Sequence, residues 1–113
     1  FLAKPVYYYY FKSFILIILI MQAIMNSTLV EKELISSLSF KSKDKVKQHP
    51  QLLEQIKEAT RLGNGYHSKV SIYFHDDEGL KRVNTTIWAD GAKYICLKGG
   101  IWLPIDRIVE IKI

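Results

Sequence analysis

The stretch KVSIYFHDDEGLKRVNTTIWADGAKYICLKGGIWLPIDRIVEIK, residues 69–112, decides the fold. Val70, Ile72 and Phe74 alternate with polar neighbours, and Val83, Thr85, Ile87 and Ala89 repeat the pattern. Ile95 with Leu97, Ile101 with Leu103, and Ile108 with the Ile111-to-Ile113 end complete the series. A period of two marks strands that bury one face. Asp77-Glu78-Gly79, Asp90-Gly91 and Gly99-Gly100 supply tight turns between the strands. Five strands this short and this closely spaced are expected to curl into a small barrel or half-barrel.

Upstream of the strands, Leu52, Leu53, Ile56 and Ala59 recur at helical spacing, with Glu54 and Lys57 opposite. Pro50 suits a first helical turn, and Gly63-Asn64-Gly65 is expected to stop the helix. Its apolar stripe can plug the barrel's open end or cover one face. A second helix is predicted over about residues 29–38, from the Thr28/Glu31 capping-box spacing followed by Leu29, Val30, Leu34 and Leu38. Phe40 to His49 alternates lysine with polar residues and reads as a solvated connector, a phosphate-binding tail being the sharper alternative. Pro104 ends its strand for want of a ladder donor, and a single helical turn at Ile105 to Arg107 leads into the last strand. That corner is usual in SH3-like and Sm-like barrels. The expected fold is therefore mainly β with N-terminal helices. Residues 50–113 form a five-stranded SH3-like or Sm-like small barrel capped by an amphipathic helix, and residues 26–49 form a helix and basic linker.

Residues 1–25 are different in kind. Val6 to Met25 is broken only by Lys12, Ser13 and Gln22. As a helix it would reach about 30 Å, the thickness of a bilayer core. Three readings are open: a membrane anchor, a targeting peptide, or translation of AT-rich sequence upstream of a start at Met25. The first residue is Phe, and no Gly, Asp or Glu occurs in the segment. The patterned domain is complete without it, so the expectation is a cytoplasmic protein starting near Met25, with membrane anchoring through residues 6–25 as the alternative.

The net charge of +5 is unevenly placed. Lys41, Lys43, Lys45 and Lys47 carry much of it, while residues 50–113 hold nine basic and eight acidic side chains. A near-neutral barrel weakens any nucleic-acid argument from overall basicity. The single cysteine, Cys96, excludes an internal disulfide and reads as a small, partly buried hydrophobe. No phosphate-binding glycine loop is present, because Gly63-Asn64-Gly65 lacks a following Lys-Ser/Thr. His75-Asp76-Asp77-Glu78 offers oxygen ligands to a cation, but consecutive acids at a hairpin tip are ordinarily solvated. No nucleophile motif occurs, so no catalysis, metal or cofactor is expected.

Strand alternation sorts the remaining side chains. If Val83, Thr85 and Ile87 face inward, then Arg82, Asn84, Thr86 and Trp88 face outward, as do Tyr94 and Trp102. Arg82, Trp88, Lys93, Tyr94, Lys98 and Trp102 are the candidate ligand-binding residues, since aromatic and basic strand faces stack bases and meet phosphates. The competing expectation, which we favour from the sequence, places Trp88 and Trp102 in a second apolar layer under the helices.

Four motifs occur in order: Arg61-Leu62-Gly63-Asn64, Asn84-Thr85-Thr86-Ile87-Trp88-Ala89, Leu97-Lys98-Gly99-Gly100, and Pro104-Ile105 with Ile108. Together, over about Leu52 to Ile113, they resemble a family of short uncharacterised bacterial proteins of the kind found in Bacteroidetes. The resemblance implies no activity. More distantly, the helix-then-barrel order is similar to Sm-like regulators such as Rho-binding antiterminator proteins. The expected function is a small non-enzymatic binding module, regulatory in role, for a protein partner or single-stranded nucleic acid. The alternative is a membrane-anchored accessory or structural protein.

Overall fold

The computed structural model describes residues 6–25 and 27–113. The expected start at Met25-Asn26 therefore touches a residue, Asn26, that lies outside the described residues, as do residues 1–5. The described chain runs α1 (Val6–Met25), β1 (Thr28–Leu29), a 3-10 segment (Lys32–Ser37), α2 (Leu52–Tyr66), β2 (Val70–His75), β3 (Leu80–Thr85), β4 (Ile87–Asp90), β5 (Tyr94–Leu97), β6 (Ile101–Pro104), a 3-10 turn (Ile105–Arg107) and β7 (Ile108–Lys112).

The strand segments and turns lie where alternation and glycine place them, but their assembly differs from a five-stranded barrel. Among the described residues, seven strands form two sheets, one ordered β1-β3-β2-β7 and the other β4-β5-β6. The sheets are not closed into a barrel. The run from Val83 to Ala89, expected as one strand, divides at Thr86 and serves both sheets. Thr86 faces inward rather than outward and is buried, its hydroxyl donating to the His67 carbonyl at 3.3 Å. Its own carbonyl accepts the Lys98 N–H at 2.9 Å. A bend made at one residue lets adjacent strands belong to different sheets without a long connection.

Helix α2 explains why the seam stays open. It packs against both β4 and β7 and fills the space between the sheets. Beside it the backbone of β7 finds partners outside the sheet: the Val109 carbonyl accepts the His49 N–H at 2.8 Å. The Ile111 N–H donates to Gln55 Oε1 at 3.1 Å. Polar backbone groups satisfied this way need no further strand. The buried stripe of α2 is Leu52, Ile56, Ala59, Thr60 and Gly63, whereas Leu53 is exposed. The helix does not stop at Gly63-Asn64-Gly65. It ends at His67, which takes a left-handed conformation at φ 55. The His67 N–H then bonds the Gly63 carbonyl at 3.1 Å, a left-handed closure available to residues other than glycine.

The predicted helix over 29–38 is corrected in the same way. Thr28 and Leu29 form a short parallel strand beside Lys81 and Arg82, and Thr28 caps nothing. The following residues wind as a 3-10 segment that sends only Ile35 into the main core. Ser36, Ser37 and Ser39 offer the backbone local alternatives to a full α-helix. The main core joins Ile35 and the α2 stripe to Ile72, Phe74, Val83, Ile87, Ile95, Leu97, Leu103, Ile108 and others from both sheets.

A second, smaller cluster lies on the outer face of the four-stranded sheet. Tyr73 and Val109 are buried there under Ile20 of α1, with Leu16, Val46 and Leu80 packed alongside. Alternation puts Tyr73 on the face opposite Ile72 and Phe74, the side that an uncovered sheet leaves to solvent. A covering element removed that exposure. Among the described residues no helix is long and apolar enough to cross a membrane.

Candidate functional site

The β4-β5-β6 sheet carries most of the candidate residues. The β5–β6 hairpin turns through Gly99 and Gly100, whose φ values of 92 and 77 favour glycine at both places. Pairing sets Cys96 opposite Trp102, Tyr94 opposite Pro104, and Ala89 opposite Cys96. Directly opposed residues share a face, so Ala89, Cys96 and Trp102 form a row with Tyr94 and Pro104 as the next. Ile95, Leu97 and Leu103 point the other way and are fully buried. Tyr94 and Trp102 are thus diagonal neighbours on an outward face, 49% and 58% exposed. Trp88 stands in the bulge between Ile87 and Ala89 on the edge strand and is 44% exposed.

The tryptophans therefore do not form a layer beneath the helices. Helix α2 is occupied between the sheets, and α1 lies over the other sheet. Lys93 and Lys98 are exposed at the two ends of β5. Their backbones are fixed, because the Lys93 carbonyl accepts the Ile105 N–H at 2.9 Å and the Lys98 N–H bonds Thr86. Five of the six candidates thus share one sheet. Arg82 does not join them: it belongs to β3, opposite Tyr73, and its Nε is buried with no hydrogen-bond partner. Cys96 is a free, half-buried thiol in the middle of the outward row.

A different constellation surrounds the β2–β3 hairpin, where the residue pattern pointed only to solvated acids. A cleft of about 430 Å³ is lined by Leu19, Ile20, Val46, Val109, His75, Asp77 and Arg107, among others. The Asp77 carboxylate accepts the Ser39 hydroxyl at 2.6 Å and the N–H groups of Ser42 and Lys41 at 2.8 and 3.0 Å. Buried Arg107 lies 3.7 Å from it and donates to the Ser42 carbonyl. Gln48 Nε2 donates to the carbonyls of Ile105 and Ile108. Phe40 packs on Phe74 with centroids 6.1 Å apart. The segment from Phe40 to His49 is thus a pinned strap, with Lys41, Lys43, Lys45 and Lys47 pointing outward. The missed signal was the alternation itself, which set Phe40, Ser42, Val46 and Gln48 opposite the lysines.

Asp76 is buried and accepts the N–H groups of Glu78 and Gly79 at 2.9 and 3.0 Å, with Lys81 Nζ at 3.4 Å. Its carboxylate builds the turn rather than a reaction centre. No group of three His, Cys, Asp or Glu suited to a metal ion occurs among the described residues.

The Ser39 hydroxyl first, then the Ser42 and Lys41 amides and Arg107, hold the Asp77 carboxyl below its ordinary value of 3.8. A carboxylate lowered on folding contributes stability that is present above 3.8 and is lost as pH falls through the folded value. Burial, and then Arg107, lower His75 from its ordinary 6.5. The folded state favours neutral His75, so stability is full above 6.5 and declines as pH drops below it. Two successive acid losses are expected in thermal melts, the His75→Gln variant keeping only the lower one. Asp77→Ala is expected to free the strap at neutral pH, where trypsin should cut after Lys41 to Lys47 faster than in the parent. Equal cleavage rates would show that Asp77 does not hold the strap.

A scan of family models and searches of curated proteins and solved structures gave no match to this chain.

Proposed function

We propose that the protein is a small, non-enzymatic, cytoplasmic binding module with SH3-like strand order. Its ligand is single-stranded nucleic acid, bound in a regulatory role on the outer face of β4-β5-β6. The order supports this reading: a bent strand shared by two sheets, two short hairpin strands, a 3-10 turn and a returning last strand. The observation that carries it is the exposure of Trp88, Tyr94 and Trp102 on one sheet, with Lys93 and Lys98 at the ends of β5. Unpaired bases stack on aromatic side chains whatever their identity, and lysines meet the phosphates. Kinship with the short bacterial proteins resembled by the four motifs belongs to this reading.

The chain's two tryptophans both lie on this sheet, so their fluorescence reports directly on the surface in question. Titration with mixed-sequence oligonucleotides at low salt is expected to quench it. Trp102→Ala should weaken binding by about 1–3 kcal/mol. Two phosphate contacts should give a log–log salt slope of roughly 1.4 in magnitude. Absence of quenching at high micromolar oligonucleotide would overturn the nucleic-acid reading. A protein partner would then be favoured by the near balance of nine basic and eight acidic residues over 50–113.

A further inference from the structure

We propose that α1 and the 40–49 strap, lying side by side over the outer face of the four-stranded sheet, form a surface that binds anionic lipid bilayers. The helix sequence VYYYYFKSFILIILIMQAIM is interrupted only by Lys12, Ser13 and Gln22, so apolar residues stand on most of its sides. Such a helix needs apolar cover on most sides. Among the described side chains of α1 only Ile20 is buried, against Tyr73 and Val109, with Leu16, Ile17 and Ile18 half-buried. Tyr10, Phe14 and Met21 are 72%, 61% and 52% exposed. At 100° per residue they lie roughly 80–120° around the helix from Ile20. A continuous exposed apolar ridge marks a surface that meets something apolar.

The strap adds the second observation. Val46 packs into the same cluster as Ile20, and Leu19 lines one cleft together with Lys45 and Lys47. The lysines therefore adjoin the flank of α1 that carries Leu19 and Ile15, 45% and 41% exposed, while Phe14 and Met21 stand on its other flank. Lys41, Lys43, Lys45 and Lys47 point outward from an extended strap. Alternate positions are about 6.6 Å apart, so the four cations span roughly 20 Å. The strap is held by Asp77, Arg107 and the Gln48 bonds, so this stripe is ordered rather than a loose tail.

Basic and apolar groups side by side complement a bilayer whose headgroups are negative and whose interior is apolar. A nucleic acid would use the lysines but leave the ridge of Phe14 and Met21 wet. Tyr10, with an apolar ring and a polar tip, suits the bilayer interface. This surface lies on the opposite sheet from Trp88 and Trp102, so it stands or falls separately from the oligonucleotide reading.

The test is co-sedimentation of the full chain with phosphatidylcholine vesicles, without and with about 30% phosphatidylserine, at low and high salt. Partition is expected on the anionic vesicles and release at high salt. Lys43→Ala with Lys45→Ala should weaken partition about 30-fold, roughly fivefold for each lysine. Phe14→Gln should weaken it on the same vesicles, with circular dichroism confirming that each variant is folded. Absence of sedimentation with either vesicle, or partition indifferent to phosphatidylserine and to the lysine pair, would overturn the proposal. So would lysine-dependent binding of oligonucleotide by a chain that ignores vesicles.

Discussion

Gly63→Ala is expected to destabilise the protein by about 3 kcal/mol, the upper end for forcing extra volume into a packed site. A Cβ at this position would lie 2.1 Å from the Ile87 carbonyl oxygen and 3.0 Å from the Thr86 methyl. The first obstacle is backbone, so no rotamer change relieves it. Helix α2 would have to withdraw from β4, and the bend at Thr86 would lose the helix packed against it. For a domain of this size the melting midpoint should fall by at least about 10 °C. Gly65→Ala is the control, because nothing lies within 4 Å of its added Cβ. Alanine there should stabilise the helix by up to about 1 kcal/mol. Opposite signs two residues apart are thus expected from thermal melts. A Gly63→Ala variant that melts with the parent would mean that α2 does not approach β4 so closely.

The second large effect is expected at Phe74, whose side chain is 0% exposed between the main core and the strap. Phe74→Ala should cost about 3–5 kcal/mol through lost burial and the cavity left behind. The cavity would open beneath Phe40, so the strap should loosen with the core. Phe40 is only partly buried, and Phe40→Ala should cost less. A double-mutant cycle between the two rings should return a coupling of about 0.5–1.5 kcal/mol, as for other aromatic pairs. Zero coupling would place Phe40 away from Phe74 and remove the apolar anchor of the strap. Urea melts with unchanged slopes would keep the comparison within two-state behaviour.

The candidate site was legible only in part. Alternation placed Tyr94 and Trp102 on the outward face opposite Ile95, Leu97 and Leu103, because strand neighbours point to opposite sides whatever surrounds them. It could not tell whether that face would be covered. The expectation of a covered face failed because α2 found its place between the sheets and α1 went to the other sheet. Arg82 was grouped with Trp88 because they share one alternating run. The division of that run at Thr86 put them in different sheets. The Asp77 latch was invisible, since its partners Ser39, Lys41 and Ser42 lie 35 to 38 residues away.

Local rules settled a good deal of this protein without any structure. Hydrophobic alternation located the strand segments between residues 70 and 112, though neither β1 nor the division at Thr86, because burial of one strand face needs only a period of two. Glycine pairs and proline placed the hairpin turn and the 3-10 corner, because backbone conformation at those residues is limited by their own covalent geometry. The seat of α2 beside β4 rests on a contact no local rule contains: Gly63 against the Ile87 carbonyl. The same holds for the helix end: Gly63 is packed against β4 inside the helix, which runs on through exposed Asn64 and Gly65 to a left-handed His67. Alternation says which way a side chain points. Only the assembled molecule decides what stands in front of it, as at Tyr73, buried by α1, and Trp102, left open.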